Sequence, residues 1–591
     1  MLRLLVFLLT ALCGVGPVWA QLTPDQRLLD FQTLAGLYAK RYAPASWKST
    51  ALAVNIFDLK PWLDRVRSAP TDLDFYQICA EYVAQFQDGH SSFRTPSNLV
   101  ADLGLFTDIY DGKLLIEQIN RTRYPANLFP FAVGDELVSM DGQPVEAILA
   151  DLVRQKGFGT LRGARRMAAD ALPYRQQMFY AKTADLPDET EVEIRRAQTG
   201  VLEKYRLTWL KTGSPIRTIP PVPDPLLALN AEDGPGSSAP YLGLLNDLRN
   251  WSLDPLLLGG QQRTVTDESG EQVSREYVLG WGIRAPYYNL PADFVIRRGN
   301  SGGDNFYTGT FTADGQRIGF IRIPHFSPQL AQFAVRELEA EIAFMKANTD
   351  GLIVDVTRNT GGTCVGLDYA QRLIPREVYA FSELFRPTQS TINSFESSLR
   401  LARLLRAEPW VITTYETLLQ AVTEAAAANR GMTAPLPSCA PAFSPTFIAP
   451  RLTYPPLLGD DGQPVAYDKP LIVLADELSV SFGDIFPAMM QDNRRGPIVG
   501  IRTGGLGGSI STWQVGVYSE ATASTTNTLV VRRGDVKAPD LPAAPYIENI
   551  GVLPDIDLDY MTRENLMTRG RPFMGKVTQI MLEEIRKPRV Q

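Results

Sequence analysis

Histidine and cysteine are the scarce residues of this chain. Its 591 positions hold two histidines, His90 and His325, and four cysteines. There is no C-x-x-C, no H-E-x-x-H and no closely spaced pair of histidines. Tetrahedral zinc needs such clustered ligands, so a zinc site is not expected, and neither is any other cofactor. Beyond the first twenty residues no apolar run is long enough to span a bilayer, and no integral membrane anchor is expected. Charge is balanced, with 58 basic against 65 acidic residues and no long run of one sign. That removes the electrostatic footprint expected of a nucleic-acid or anionic-membrane binder. The 45% hydrophobic content marks ordinary globular material instead.

The chain opens "MLRLLVFLLTALCGVGPVWAQ". Arg3 supplies a positive start, residues 4–12 a short apolar core, and "VWA" a small-residue cleavage site after Ala20. This predicts a signal peptide over 1–20 and an exported protein, periplasmic or secreted. Cleavage removes Cys13 and leaves Cys79, Cys364 and Cys439. Export permits a disulfide, and Cys364–Cys439 is the expected pair, because both fall in the same domain.

Texture divides the rest. Residues 21–100 read as helical: Thr23 caps, Pro24 opens, and Leu28, Leu29, Phe31, Leu34, Leu37 and Tyr38 lie largely along one face. A second amphipathic helix runs through "TDLDFYQICAEYVAQFQ" and is expected to stop at Gly89. Residues 101–212 alternate in short strands, with Asp141-Gly142 as a hairpin turn. Residues 213–304, rich in proline and glycine, read as a connection with little core of its own. Continuous apolar runs, "RIGFIRI", "DGLIVDV" and "KPLIVLAD", then predict an α/β core over 305–384 and 446–565. A helical insert, 385–445, interrupts it. The insert is expected to open with a capping box from Asn393 to Glu396, and reads equally as a lid or as a surface elaboration. A C-terminal helix or tail covers 566–591.

Chemistry concentrates in a few loops. "LADELSVSFGDIF" places Ser479 and Ser481 between a buried strand and a helix expected to begin near Asp484, with Pro487 in its first turn. Locally, Ser481 with Asp484 reads first as a helix cap, since capping serines far outnumber catalytic ones; the alternative is a nucleophile on a strand-to-helix turn. "RTGGLGGSI" offers backbone amides but no lysine, which excludes a phosphate loop and a Ser/Lys site. His90 in "QDGHSSF" and His325 in "IRIPHFSP" are the candidate bases, each equally readable as a locally satisfied imidazole. "VDVTRNTGG" ends a strand in Gly361-Gly362, where backbone can approach a ligand closely. "YIENIGVLPDIDL" offers Glu548 as a carboxylate to orient a base.

Taken in chain order, "QDGHSSF", "GDELVSMDGQPV", "GFIRIPHF", "GLIVDVTRNTGG", "VLADELSVSFGDIF", "GPIVGIRTGGLGGS" and "IENIGVLPDIDL" resemble the tail-specific, or C-terminal-processing, serine protease family. The resemblance covers about 90–212 and 305–560. It implies an α/β fold with a crotonase- and Clp-like αββ-spiral protease core and a PDZ-like β domain over 101–212. The nucleophile falls on Ser481, and the oxyanion donors on the amides of Gly361 or Gly362 and of Phe482. The family's usual lysine base falls on Leu506, which rules out that mechanism here. The tricorn-like branch uses a histidine and a glutamate, and these fall on His90 and Glu548. The implied function is an exported serine endopeptidase whose polypeptide substrate is recognised by its C-terminus through strand addition. A non-catalytic binding or carrier protein on the same scaffold, or a hydrolase of small esters or amides, are the alternatives. With Glu548 raising and burial lowering the His90 pKa, activity is expected to rise with an apparent pKa of roughly 6 to 7.5.

Overall fold

A computed structural model describes residues 21–216, 263–266, 272–275, 280–439 and 449–588. Residues 1–20, where a signal peptide is expected, and most of the proline-rich connection lie outside them. No helix among the described residues is long and apolar enough to cross a membrane.

The first helix, Pro24–Arg41, starts where the residues require it: Thr23 and Gln26 close a reciprocal capping box and proline occupies the first turn. Helices Ala45–Leu52, Lys60–Arg67 and Asp72–Ala84 follow. Phe31, Leu34 and Tyr38 pack against Phe75, Tyr82 and Phe86. The last helix ends at Ala84, earlier than Gly89, because Gln87 takes a left-handed φ of +46° and reverses the chain. The freed residues 88–91 form a separate turn.

An antiparallel sheet of five main strands comes next: Leu105–Tyr110, Lys113–Ile119, Glu136–Met140, Glu189–Arg195 and Leu202–Thr208. Asp141 and Gly142, at φ +48° and +75°, make the expected hairpin turn, whose two central residues both need positive φ. Helices Val145–Gln155 and Leu161–Ala171 belong to the same unit, and its core gathers Leu105, Leu114, Ile116, Leu137, Leu149 and Val192.

The largest sheet has seven strands in the order Val295–Arg298, Tyr307–Ala313, Gln316–Arg322, Gly351–Asp355, Leu471–Ala475, Ile498–Gly500 and Ile556–Asp557. The first three pair antiparallel and the remainder parallel. Its central strands are apolar throughout because both faces are covered. On one side Leu352, Val354 and Val473 meet Leu338, Ile342 and Phe486. On the other Ile353, Ile472 and Leu474 meet Phe573, Val577 and Met581, which the C-terminal helix Arg571–Arg586 supplies.

Of the connection, Trp281 is fully buried and its indole N–H donates to the Leu478 carbonyl, beside the Ser481 loop. Two expectations need correction. The insert is a helical hairpin, Gln389–Leu404 and Pro409–Ala427, but Thr388 caps its first helix, so Asn393 lies inside it. The helix after Ser481 starts at Phe482 and carries Pro487 within it, where the missing N–H leaves the Gly483 carbonyl without its usual helical partner. Cys364 and Cys439 are disulfide-bonded, with Cα atoms 5.9 Å apart, and Cys79 is buried and free.

Candidate active site

Two parallel neighbours, Gly351–Asp355 and Leu471–Ala475, end side by side, and the loops beyond them build the site. Open parallel sheets bind ligands at this carboxyl end. The loops are fastened together: Val480 N–H donates to the Asn359 carbonyl at 3.0 Å, and Arg358 N–H to Asp476 Oδ1 at 2.7 Å. Ser479 is a structural clamp. Its hydroxyl donates to the Val356 carbonyl at 2.7 Å, lies 3.0 Å from Asp476 Oδ1 and accepts the Asp476 N–H at 3.0 Å. From the other direction Arg162 and Arg166, on the second helix of the five-stranded unit, pair with Glu477 at 2.7 and 3.2 Å.

Ser481 sits at φ +57°, ψ −120°, a conformation that L residues adopt only when their surroundings enforce it. Its side chain caps nothing, so only the acid's half of the Ser481–Asp484 box is present, with Asp484 accepting from the Ser481 backbone N–H. Asp484 also accepts from the Thr503 hydroxyl and from the amides of Gly505 and Leu506 at 2.9 and 3.0 Å. Gly361 lies directly against the serine: a Cβ added there would fall 2.5 Å from Ser481 Cβ and 2.9 Å from the Phe482 nitrogen. A Cβ at Gly483 would fall 2.8 Å from the Asn359 carbonyl oxygen, which accounts for glycine at this position.

Of the two glycines expected to stabilise an oxyanion, the structure leaves one. Gly361 N–H donates to Asn359 Oδ1 at 2.7 Å and is spent. Gly362, at φ +142°, lies opposite Phe326, which bonds to the Gly361 carbonyl and the Thr363 N–H on either side. Among the described residues neither the Gly362 nor the Phe482 amide has an acceptor. Phe482 N–H is also the first of its helix, where the helix dipole favours negative charge. The amides of the glycine-rich loop are occupied: Gly504 bonds to the Ser479 carbonyl, Gly505 and Leu506 to Asp484, and Gly507 to Glu548.

His90 comes from the reversed turn after Ala84. Asp88 shapes that turn, Oδ1 accepting the His90 N–H at 2.8 Å and Oδ2 the Ser91 and Thr526 hydroxyls at 2.9 and 2.7 Å. Leu506 packs between this turn and the nucleophile loop, touching Gly89 on one side and Gly504 on the other. It is fully buried beside Leu478, Val480 and Trp281, a packing residue where the family has its lysine. His90 is 2% exposed, and among the described residues neither ring nitrogen has a hydrogen-bond partner. Burial pushes the imidazole down to about 4, with Lys48 acting in the same sense and Asp88 against it.

Glu548 does not hold His90. Its Oε1 is paired with the Lys48 ammonium and its Oε2 accepts the Gly507 N–H at 3.2 Å. Burial and the Asp88 charge push its carboxyl up to about 8, against Lys48 and the Gly507 amide. Lys48 is the residue that sequence reasoning missed, since its short helix carries no motif and no marked apolar face. His325 precedes Phe326, the residue opposite Gly362; its Nδ1 accepts the Ser327 N–H at 3.1 Å, and burial lowers it to about 4.

A peptidase family S41 model matches residues 317–558, which contain the Gly361 and Ser481 loops and Glu548. The chain carries a peptidase family S41 domain. A PDZ domain precedes it, matched over 101–216, the five-stranded unit and its flanks. The S41 domain makes the protein a serine-type peptidase. His90 and Lys48 fall outside both matched ranges, in the helical region before the PDZ domain. A protein of Chlamydia trachomatis serovar D is 23% identical over 630 residues, covering 99% of this chain and 97% of its own. One of Chlamydia pneumoniae is 23% identical over 628 residues, covering 98% and 94%. Among solved structures, mature CPAF is 24% identical with a TM-score of 0.68, covering 95% of this chain and 98% of its own. CPAF complexed with lactacystin gives 23% and 0.68, covering 95% and 99%. These likenesses extend the shared fold beyond the S41 and PDZ domains to nearly the whole chain.

Proposed function

We propose that the protein is an exported serine endopeptidase in which Ser481 is the nucleophile and His90 the general base. The observation that carries this reading is the elbow at Ser481. A serine in an enforced conformation abuts Gly361, and the unengaged amides of Phe482 and Gly362 lie on its two neighbouring loops. Ser481 Oγ attacks the scissile carbonyl and its proton passes to His90, which burial keeps neutral and so able to accept it. The tetrahedral oxyanion is held by the Gly362 and Phe482 amides. His90 returns the proton to the leaving amine, and water then hydrolyses the acyl-enzyme by the same steps. Glu548 holds Lys48 and the Gly507 amide rather than the imidazole. The PDZ domain supports recognition of a substrate C-terminus by strand addition. The N-terminal apolar segment and the Cys364–Cys439 disulfide support export to an oxidising compartment.

The test is covalent. A fluorophosphonate should label the purified chain once, on the peptide carrying Ser481, and Ser481→Ala should lose both label and peptidase activity while keeping its circular dichroism. Equal labelling of parent and variant would sink the assignment.

A further inference from the structure

Lys48 has no solvent exposure, and its ammonium donates to three acceptors on two separate segments. These are Glu548 Oε1, Asn549 Oδ1 at 2.6 Å and the Gln87 carbonyl at 3.2 Å. All three of its N–H bonds are used. Trp47, its neighbour, donates its indole N–H to the Glu548 carbonyl at 2.9 Å. The Asn549 amide reaches back to the carbonyls of Gln87 at 2.8 Å and Gly159 at 3.0 Å. Gln87 is the left-handed residue that turns the chain towards Asp88, Gly89 and His90. One short helix therefore staples the turn that presents His90 to the loop that presents Glu548.

The electrostatic surroundings are equally defined. His90 is faced by Asp88 from its own turn and by Lys48 from the helix Ala45–Leu52. The strand Thr522–Thr526 contributes the hydroxyls of Ser524 and Thr526, which bond to the His90 carbonyl and to Asp88. Tyr42, beyond the first helix, faces Asp88 and Glu548. Leu506 and Phe158 close the Gly89 side with apolar surface. Two buried carboxylates thus share one buried ammonium, whose charge favours the ionised form of each.

We propose that Lys48 is a positioning residue of the catalytic site, which staples the His90 turn to the Glu548 loop and places a fixed positive charge beside the imidazole. The proposal rests on the reading of His90 as the base for Ser481. A positive charge there disfavours the imidazolium and keeps the base free at lower pH. Removing it leaves Asp88 to favour the imidazolium, so the base should titrate at higher pH.

The experiment measures the rate of Ser481 labelling by a fluorophosphonate against pH, using the full chain. In Lys48→Met the rising limb should move up by about one pH unit and the plateau should fall about tenfold or more. Lys48→Arg keeps the charge, so its limb should stay within a few tenths of a unit of the parent's. If Lys48→Met does not fold, Glu548→Gln is compared with Glu548→Gln/Lys48→Met, and adding the lysine substitution should again move the limb up by about one unit. A limb that stays in place in both comparisons would overturn the proposal, even with a lowered plateau, because a purely structural role predicts that pattern. A parent chain that is not labelled at Ser481, or that shows no rising limb, would overturn the His90 reading together with it.

Discussion

Gly361→Ala is the substitution whose cost the structure fixes most closely. The glycine has φ +81°, and a Cβ there would lie 2.5 Å from Ser481 Cβ, 2.7 Å from the Val480 carbonyl oxygen and 2.9 Å from the Phe482 nitrogen. Two of those atoms are backbone held by the loop-to-loop bonds described above, so they cannot rotate away. A left-handed conformation costs an alanine about 1 kcal/mol, and overpacking of this kind about 1–3 kcal/mol more. The total is about 2–4 kcal/mol of lost stability. The displaced atoms are the nucleophile and an oxyanion donor, so labelling of Ser481 should also fall about a hundredfold, as misplacements of about 1 Å do. Gly36→Ala is the matched control. Gly36 lies inside the helix Pro24–Arg41 with nothing within 4 Å of an added Cβ, so alanine should stabilise by up to about 1 kcal/mol. Denaturant unfolding followed by tryptophan fluorescence, with labelling rates on the same samples, reads both effects. Gly361→Ala as stable and as reactive as the parent would refute the packing on which the site is built.

Other outcomes follow from the same geometry. Leu506→Ala should lose about 2–4 kcal/mol of stability but keep measurable turnover, whereas His90→Ala should reduce turnover by at least about a hundredfold; the reverse ranking in a peptidase assay would identify the wrong base. The rising limb of kcat/KM should lie well below 6.5, near 4, because burial outweighs Asp88 and no Glu548 contact raises His90; a limb at 6 to 7.5 would restore the simpler balance. Stability should also depend on pH in both directions, read from denaturant midpoints. The depressed His90 and His325 pKa values contribute stability that is lost as pH falls from 6.5 towards 4. Asp484 and Glu383, raised to about 7, contribute stability that is lost as pH rises through that value. Cys439→Ala opens a loop spanning 75 positions and should cost about 4 kcal/mol on the chain-entropy account, with peptide mapping of the parent showing Cys364 joined to Cys439.

Much of the scaffold could be read from residues because its signals are local. Thr23 with Pro24 and Asp141 with Gly142 carry their own backbone instructions, and the apolar runs of the central strands require cover on both faces. Loop-end contacts were not legible in that way. The helix Asp72–Ala84 ends before Gln87, where a turn that bonds to Lys48 and Asn549 outweighs the later glycine. Gly89 is glycine because Leu506 packs on it, a neighbour more than four hundred positions away. Ser481 and Asp484 match a capping box in sequence, yet the serine side chain caps nothing and the acid also takes tertiary bonds from Thr503, Gly505 and Leu506. The choice between Gly361 and Gly362 turned on a single side chain, Asn359. Lys48 was invisible because an ordinary surface-type residue in a short helix gives no sign that its partners arrive from the far end of the chain.

The central claim is that Ser481, the Gly362 and Phe482 amides and His90 act on one substrate carbonyl. The most direct measurement is a crystal structure of the chain after reaction with a fluorophosphonate. The account predicts a covalent bond from Ser481 Oγ to phosphorus, with the phosphoryl oxygen about 2.7–3.1 Å from both the Gly362 and Phe482 nitrogens and a His90 ring nitrogen turned to the remaining oxygen. Phosphorus on Ser479, or a phosphoryl oxygen bound by other donors with His90 still unengaged, would contradict it.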